Sequence, residues 1–331
     1  MDDIITLDYG SGGKKTSALI EKLLLPSLGN DELNPLGDGA ILQGGEQLVF
    51  STDSFVVSPC FFPGGDIGEL CVCGTVNDVS VCGGECRYLS LAFIIEEGFP
   101  FASLERIVES IRATAERAGV KIVTGDTKVV EKGRGDGIYI NTAGIGVLKY
   151  PGLSTRNIQP GDAILLSGTA GDHGATVMLS RNGLEGALKS DAAPLNALCK
   201  AVLESGANVR VLRDPTRGGV ATTLNEFAED CGLTLTLKEG DIPVREDVNA
   251  VCELLGLDPL YCANEGKLLC VVPEEDVEKA LAAMRSVPEG KNAARIGAVG
   301  EYRGALVLLE TAFGGTRILQ KLSGAQLPRI C

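Results

Sequence analysis

Hydrophobic and polar positions change period several times along the chain, and the changes mark its elements. Ser103 opens a stretch in which Leu104, Ile107, Val108 and Ile111 share one face at helical spacing, with Gly119 as a stop. This predicts an amphipathic helix. Asp66 followed by Glu69 three residues on is a capping-box-like start for another helix, running towards Cys82. Apolar runs at 47–51, 87–95, 120–124 and 137–148 predict strands.

Pro151, Gly152, Pro160 and Gly161 then break the periodicity and predict a boundary within 150–161. The second half repeats the style, with a strand at 163–167 and helices near 173–180, 195–205, 218–230 and 274–285. Strands follow near 233–238, 268–272 and 305–309. No short-period repeat is present, which excludes a solenoid. The expected fold class is mixed α/β (α+β) in two domains, 1–150 and 151–310. A glycine-bearing segment, 311–331, is read as a flexible tail ending in Cys331. Phe313 and Arg317 stand where it leaves the body; they are candidates to guide it, with packing as the alternative for Phe313.

Composition adjusts this picture in three respects. A chain of 331 residues, 44% of them hydrophobic, exceeds one ordinary domain and has ample material for two cores. Its longest apolar runs, such as 89–95, fall short of the roughly 20 residues of a membrane helix. The acidic start Met1-Asp2-Asp3 lacks the order of a signal peptide, and the eleven scattered cysteines fit reduced thiols. A soluble, cytoplasmic protein with no membrane partner is expected. The 44 acidic against 30 basic residues, a net charge of −14, argue against a nucleic-acid partner, which demands Lys and Arg on phosphates. A single nucleotide is still compatible, because a divalent cation held by Asp carboxylates supplies the positive charge.

The chemistry-bearing residues fall into three groups. Asp38, Asp53, Asp78 (after Asn77), Asp126 and Asp214 are read at turn-rich junctions, where short carboxylates suit magnesium and phosphate; turn and N-cap roles are the alternative. The loop Tyr9-Gly10-Ser11-Gly12-Gly13-Lys14-Lys15-Thr16 precedes an amphipathic helix and offers amides to phosphates, although its spacing is not that of a P-loop. An ordinary mobile N-terminus competes with that reading. Lys128 and Glu265 are candidates for proton transfer, against a default of surface charge. Cys71, Cys73, Cys82 and Cys86 lack the paired spacing of a zinc site and are read as free thiols. His173, the sole histidine, is assigned a structural role at a helix start.

Together, Gly37-Asp38-Gly39-Ala40, Thr52-Asp53, Val76-Asn77-Asp78, Thr124-Gly125-Asp126-Thr127-Lys128, Gly171-Asp172-His173-Gly174, Asp214-Pro215-Thr216-Arg217-Gly218-Gly219 and Ala263-Asn264-Glu265-Gly266 resemble the HypE family of hydrogenase maturation factors. The terminal Pro328-Arg329-Ile330-Cys331 is the most specific mark, and the resemblance spans essentially the whole chain. It implies the PurM-like ATP-binding architecture: an N-terminal domain whose mixed sheet pairs into a dimer β-barrel, and a C-terminal α/β sandwich.

It further implies ATP held by Asp38, Asp53, Asn77, Asp78, Asp126 and Asp214, with Mg2+ on the five aspartates; Gly12, Gly13 and Lys14 are the nucleotide contacts expected from the glycine-rich loop. Cys331, Lys128 and Glu265 are the implied catalytic residues. The implied reaction is ATP-dependent dehydration of a carbamoyl group on Cys331 to a thiocyanate, supplying the cyano ligand of NiFe hydrogenase. The implied partners are a second copy, a HypF-type carbamoyltransferase and an iron-carrying HypC–HypD complex. The α-carboxylate raises the Cys331 thiol pKa and Arg329 opposes it. About 15 extended residues reach roughly 50 Å, so the tail is long enough to enter a site. A small-molecule kinase or synthetase of the same fold, a non-catalytic thiol carrier and a metal-cluster protein are the competing readings. The glycine-rich loop contains no Cys, which sets the chain apart from selenophosphate synthetases.

Overall fold

Two mixed sheets, each with helices packed on it, organise the chain. The computed structural model describes residues 3–10, 18–34, 44–45, 47–321 and 330–331. Ahead of the first sheet, a π-helical turn, Ile20–Leu24, runs into α1 (Leu25–Leu28).

The first sheet contains β1 (Leu48–Phe55), β4 (Gly84–Glu96), β5 (Lys121–Val130) and β6 (Ile138–Leu148) in the order β1-β6-β4-β5. Only β4 and β5 are parallel. A small hairpin, β2 (Phe61–Phe62) and β3 (Gly65–Asp66), leads into α2 (Ile67–Val81). The Asp66 carboxylate caps α2 by accepting the Gly68 amide at 2.7 Å and the Glu69 amide at 3.1 Å. Glu69 does not reach back to complete a capping box; it pairs with Arg117 at 2.7 Å instead. The amphipathic stretch becomes α3 (Phe101–Ala118), closed by Gly119 at φ 69°.

α2 is buried almost all round because it lies between the sheet and α3. Glycines in β6 permit that approach. A Cβ on Gly144 would stand 2.7 Å from the Thr75 methyl, and one on Gly146 2.6 Å from Val79. Among the described residues the opposite face of the sheet is open, with Leu48, Phe50 and Ile94 exposed on it.

The second sheet runs β13-β12-β9-β11-β7-β10-β8. Its strands are β7 (Ala163–Leu166), β8 (Val211–Arg213), β9 (Thr234–Lys238), β10 (Leu269–Val272), β11 (Ala294–Gly300), β12 (Leu306–Glu310) and β13 (Thr316–Leu319). The central β7 and β10 are buried throughout, as strands covered on both faces must be. On one face pack α5 (Asn196–Leu203) and α8 (Val277–Arg285), and on the other α6 (Gly219–Cys231). α4 (Asp172–Arg181) and α7 (Glu246–Leu255) share a smaller core.

The sequence reading missed α7, the two-residue strands β2 and β3, and β8, β11 and β13. α7 buries only Val248 and Cys252, β8 is three residues long, and β11 is interrupted by glycine. β13 pairs with β12, so the ordered sheet continues beyond Glu310, where the sequence reading began the tail. Phe313, at the tip of this hairpin, is fully exposed, which overturns a packing role. Arg317 pairs with Asp258 at 2.8 Å.

Candidate active site

The sheet pleat decides which side of the first sheet each aspartate occupies. Asp53 lies within β1 opposite Thr142, whose hydroxyl meets that of Thr75 in α2 at 2.6 Å, so Asp53 faces the helix side. Asp78 sits in the last turn of α2 and accepts the Ser51 hydroxyl at 2.7 Å. Asp126 and Lys128 lie within β5, in register with Ala92 and Ile94 on the open face. They pair with each other at 2.7 Å and are exposed. The expectation of turn-borne aspartates therefore fails for these three: Asp53 and Asp126 are strand residues, and Asp78 is helical. Asp214 alone follows a strand end, that of β8.

The second half contributes a tightly held loop, 263–266. The Asn264 carboxamide accepts the Gly171 amide at 3.0 Å and donates to the Thr169 carbonyl and to Asp191, at 3.2 and 3.1 Å. Asp191 also accepts the Glu265 amide at 3.2 Å and the Lys267 ammonium at 3.0 Å. Any side chain at Gly266 would overlap the Asp191 carbonyl. From the first half, Asn77 braces the loop, its carboxamide oxygen accepting the Leu195 amide at 2.7 Å and its nitrogen facing the Ala193 and Glu265 carbonyls.

Glu265 is thereby fixed in a buried acidic centre. Burial raises its carboxyl far above the usual range, and the negative charges of Asp214, Asp191, Asp53 and Asp78 add to it. Asp214 is pushed up to about 7, first by burial and then by Asp78. Asp53 and Asp78 are raised by burial too. Asp214 Oδ2 and Glu265 Oε1 are buried without a hydrogen-bond partner. Stacked carboxylates with orphaned oxygens are a donor set that fits a hard divalent cation. Among the described residues no three Asp, Glu, Cys or His stand together as a ready chelate.

The chain terminus enters this centre. Ile330 and Cys331 pack against the first core, and the Val56 amide donates to the Cys331 carbonyl oxygen at 3.1 Å. The Cys331 thiol is pushed strongly up by burial and by Glu265, while Arg217 opposes the shift. Among the described residues the cation acting on the thiol is Arg217, from the turn after β8; Arg329, expected to oppose the shift, lies outside the described residues, as do Gly12, Gly13, Lys14 and Asp38.

The structure gathers Asp53, Asp78, Asp214, Glu265 and Cys331. It does not bring Lys128 to Glu265 within one chain. β5 and β1 are opposite edges of a four-stranded sheet, three spacings or roughly 14 Å apart, and Lys128 faces away from α2. Cys71, Cys73 and Cys86 are buried and Cys82 is exposed. Sequence reasoning missed Asp191 and Lys267, which carry no recognisable spacing, and gave Arg217 no role although it stands in a quoted motif.

Fold and site define a two-domain protein of the AIR synthase type. Residues 36–148 match the family model "AIR synthase related protein, N-terminal domain", and 159–308 match its C-terminal counterpart. Thiamine monophosphate kinase from Aquifex aeolicus shares this fold at 19% identity, with a TM-score of 0.61 over 80% of this chain and 88% of that one. Within this type, the chain belongs to the HypE family of hydrogenase maturation proteins. It is 52% identical to carbamoyl dehydratase HypE of Azotobacter vinelandii, over 99% of this chain and 97% of that protein. It is 46% identical to that of Escherichia coli (strain K12), over 99% of each. A crystal structure of HypE in complex with ATP superposes with a TM-score of 0.95, at 52% identity, covering 98% of this chain and 99% of that one. A HypE chain from a HypE–HypF complex superposes at 0.80, with 48% identity over 92% and 100%. Among the described residues no helix is long and apolar enough to cross a membrane.

Proposed function

We propose that the chain is an ATP-dependent carbamoyl dehydratase acting on a carbamoyl group borne by its own Cys331, and that its product is a thiocyanate. The observation that carries this reading is the place of the terminal thiol, in the same buried centre as Glu265, Asp53 and Arg217. The HypE–ATP complex among its relatives supports ATP as the co-substrate.

Bound at the centre, magnesium neutralises nucleotide phosphates; Asp53, Asp78 and Asp214 are the described residues that would hold it. The thiocarbamate oxygen takes the γ-phosphoryl group, breaking the bond to ADP and loading that oxygen as a phosphate leaving group. One proton leaves the nitrogen as the imidate forms. The second leaves as phosphate departs, and the carbon–nitrogen triple bond closes. The net change is thiocarboxamide plus ATP to thiocyanate, ADP and phosphate. Glu265 is placed to exchange a proton at this point: burial and the neighbouring carboxylates favour its protonated form, and a cation on those aspartates would favour the carboxylate that accepts one. Lys128 would join from a second copy. The open sheet face bearing exposed Leu48, Phe50 and Ile94 is the surface on which such a copy would close a barrel. A HypF-type carbamoyltransferase would load Cys331, a HypC–HypD iron complex would accept the cyano group, and the setting would be cytoplasmic.

Intact-protein mass spectrometry tests this directly. Carbamoylated protein given Mg-ATP is expected to lose one water from the Cys331 adduct, and to keep it with a non-hydrolysable analogue. An adduct that persists under hydrolysable ATP would overturn the dehydratase reading and leave a thiol carrier.

A further inference from the structure

His173, assigned only a structural role by sequence, touches the chain terminus. It is fully buried at the start of α4, its ring meeting Phe62 edge-on with centroids 5.3 Å apart. Nε2 lies 2.6 Å from the Ile330 carbonyl oxygen and Nδ1 lies 2.8 Å from Ser190 Oγ. A carbonyl only accepts, so Nε2 carries the proton. Nδ1 of the neutral ring then accepts from the Ser190 hydroxyl, which in turn accepts the Ala192 amide at 3.1 Å. Every polar atom of this relay is satisfied with the imidazole neutral, the form favoured by burial and by the helix N-terminus.

We propose that His173 is the positioning residue for the C-terminal thiol: by holding the Ile330 carbonyl, it sets where Cys331 stands relative to Glu265. The neighbouring residue completes the logic. Ser190 orients His173, while Asp191 holds the Glu265 amide at 3.2 Å. Adjacent residues of one loop thus fix both the thiol's tether and the candidate base. Ile330 adds a buried apolar anchor, and the Val56 amide grips Cys331 from the first half of the chain. Among the described residues the hydrogen bond from His173 is thus one of three holds on the terminus, and the one oriented by the loop that also supports the candidate base.

The role of the tether in catalysis rests on the reading that Cys331 carries the reacting group, but its existence is measurable without turnover. Alkylation of Cys331 in the full chain, followed by peptide mapping, reports how often the tail is undocked. His173→Ala is expected to raise that rate about tenfold or more, since the Ile330 carbonyl would dock unpaired. His173→Gln, whose side-chain amide can still donate, is expected to stay within about threefold of the parent. Alkylation of exposed Cys82 serves as the internal control and is expected to be unchanged. Because His173 is the only histidine, protein labelled with 15N-histidine gives one imidazole signal pair. The full chain is expected to show the Nε2–H tautomer, and a chain ending at Arg329 to lose protection of that proton. Identical imidazole signals in the two chains, or an unchanged Cys331 rate in a folded His173→Ala variant, would overturn the proposal. The NMR comparison decides alone if the alanine variant does not fold. Normal tail docking with no thiocyanate product would instead defeat the dehydratase reading and leave the tether standing.

Discussion

The Asn77 carboxamide oxygen accepts the backbone amide of Leu195 at 2.7 Å, joining the central helix of the first half to the start of α5, which packs on the second sheet. The same side chain faces the Glu265 carbonyl, so a residue expected to contact nucleotide is placed as a strut between the two halves. Asn77→Ala would strand a buried amide and carbonyl. A loss of about 2–3 kcal/mol is expected, read by urea unfolding, with a fall in turnover as the Glu265 loop loosens.

The acidic centre makes stability depend on pH in an unusual direction. Asp214 titrates near 7 when folded against 3.8 unfolded, and Asp172 near 6, so between these limits the native state binds more protons than the unfolded chain. Stability then falls as pH rises from about 4 to about 7, and Glu265, the carboxyl raised furthest, carries the decline on above it. Asp191 is held low and acts only below that window. Thermal melts in EDTA across this range are expected to show the decline. Added Mg2+ is expected to raise the melting temperature more at pH 8 than at pH 5, because only the ionised carboxylates bind it.

Glu265→Gln separates stability from chemistry. The substitution keeps the shape of a protonated carboxyl while removing a buried titrating group, so the metal-free melting temperature at pH 8 is expected to rise. Conversion of carbamoylated protein is expected to drop by about a hundredfold or more, the scale of losing a general base. A variant that melts higher and turns over normally would remove Glu265 from the reaction.

Lys128 offers a test of cooperation between copies. Its exposed pair with Asp126 contributes little, so Lys128→Ala is expected to leave stability within about 0.5 kcal/mol of the parent. Its distance from Glu265 in one chain predicts that Lys128→Ala and Cys331→Ala proteins, each inactive, regain product when mixed and allowed to exchange subunits. Mass spectrometry of the mixed sample would detect the thiocyanate. No recovery after verified exchange would place Lys128 within its own chain's reaction or outside it altogether.

Much of the secondary structure was legible because local rules set it. Asp66 caps α2 and Gly119 closes α3 as their side-chain chemistry and lack of one predict. The aspartates were legible as a set but not in place. Asp53 and Asp126 look alike in sequence, each beside a Thr in an apolar run, yet the pleat turns one towards α2 and the other to the open face. Asp191 was invisible, because nothing local distinguishes a loop aspartate that will hold the Glu265 amide from one that will face water. His173 was visible as the only histidine, but its partner is the Ile330 carbonyl at the far end of the chain.

By itself, the sequence determined the longer, strongly patterned elements, the mixed α/β class, the family and a short list of carboxylates and thiol to consider, since these follow from periodicity, capping and motif order. Tertiary structure alone decided which carboxylates converge, that Asn77 braces the Glu265 loop, and that Arg217, among the described residues, is a cation felt by Cys331. The physical reason is that burial and mutual charge set a carboxyl's chemistry, and both depend on neighbours brought from distant segments. Asp214 is pushed to about 7 by a fold that places it beside Asp78 and away from water, a property no window of sequence around it contains.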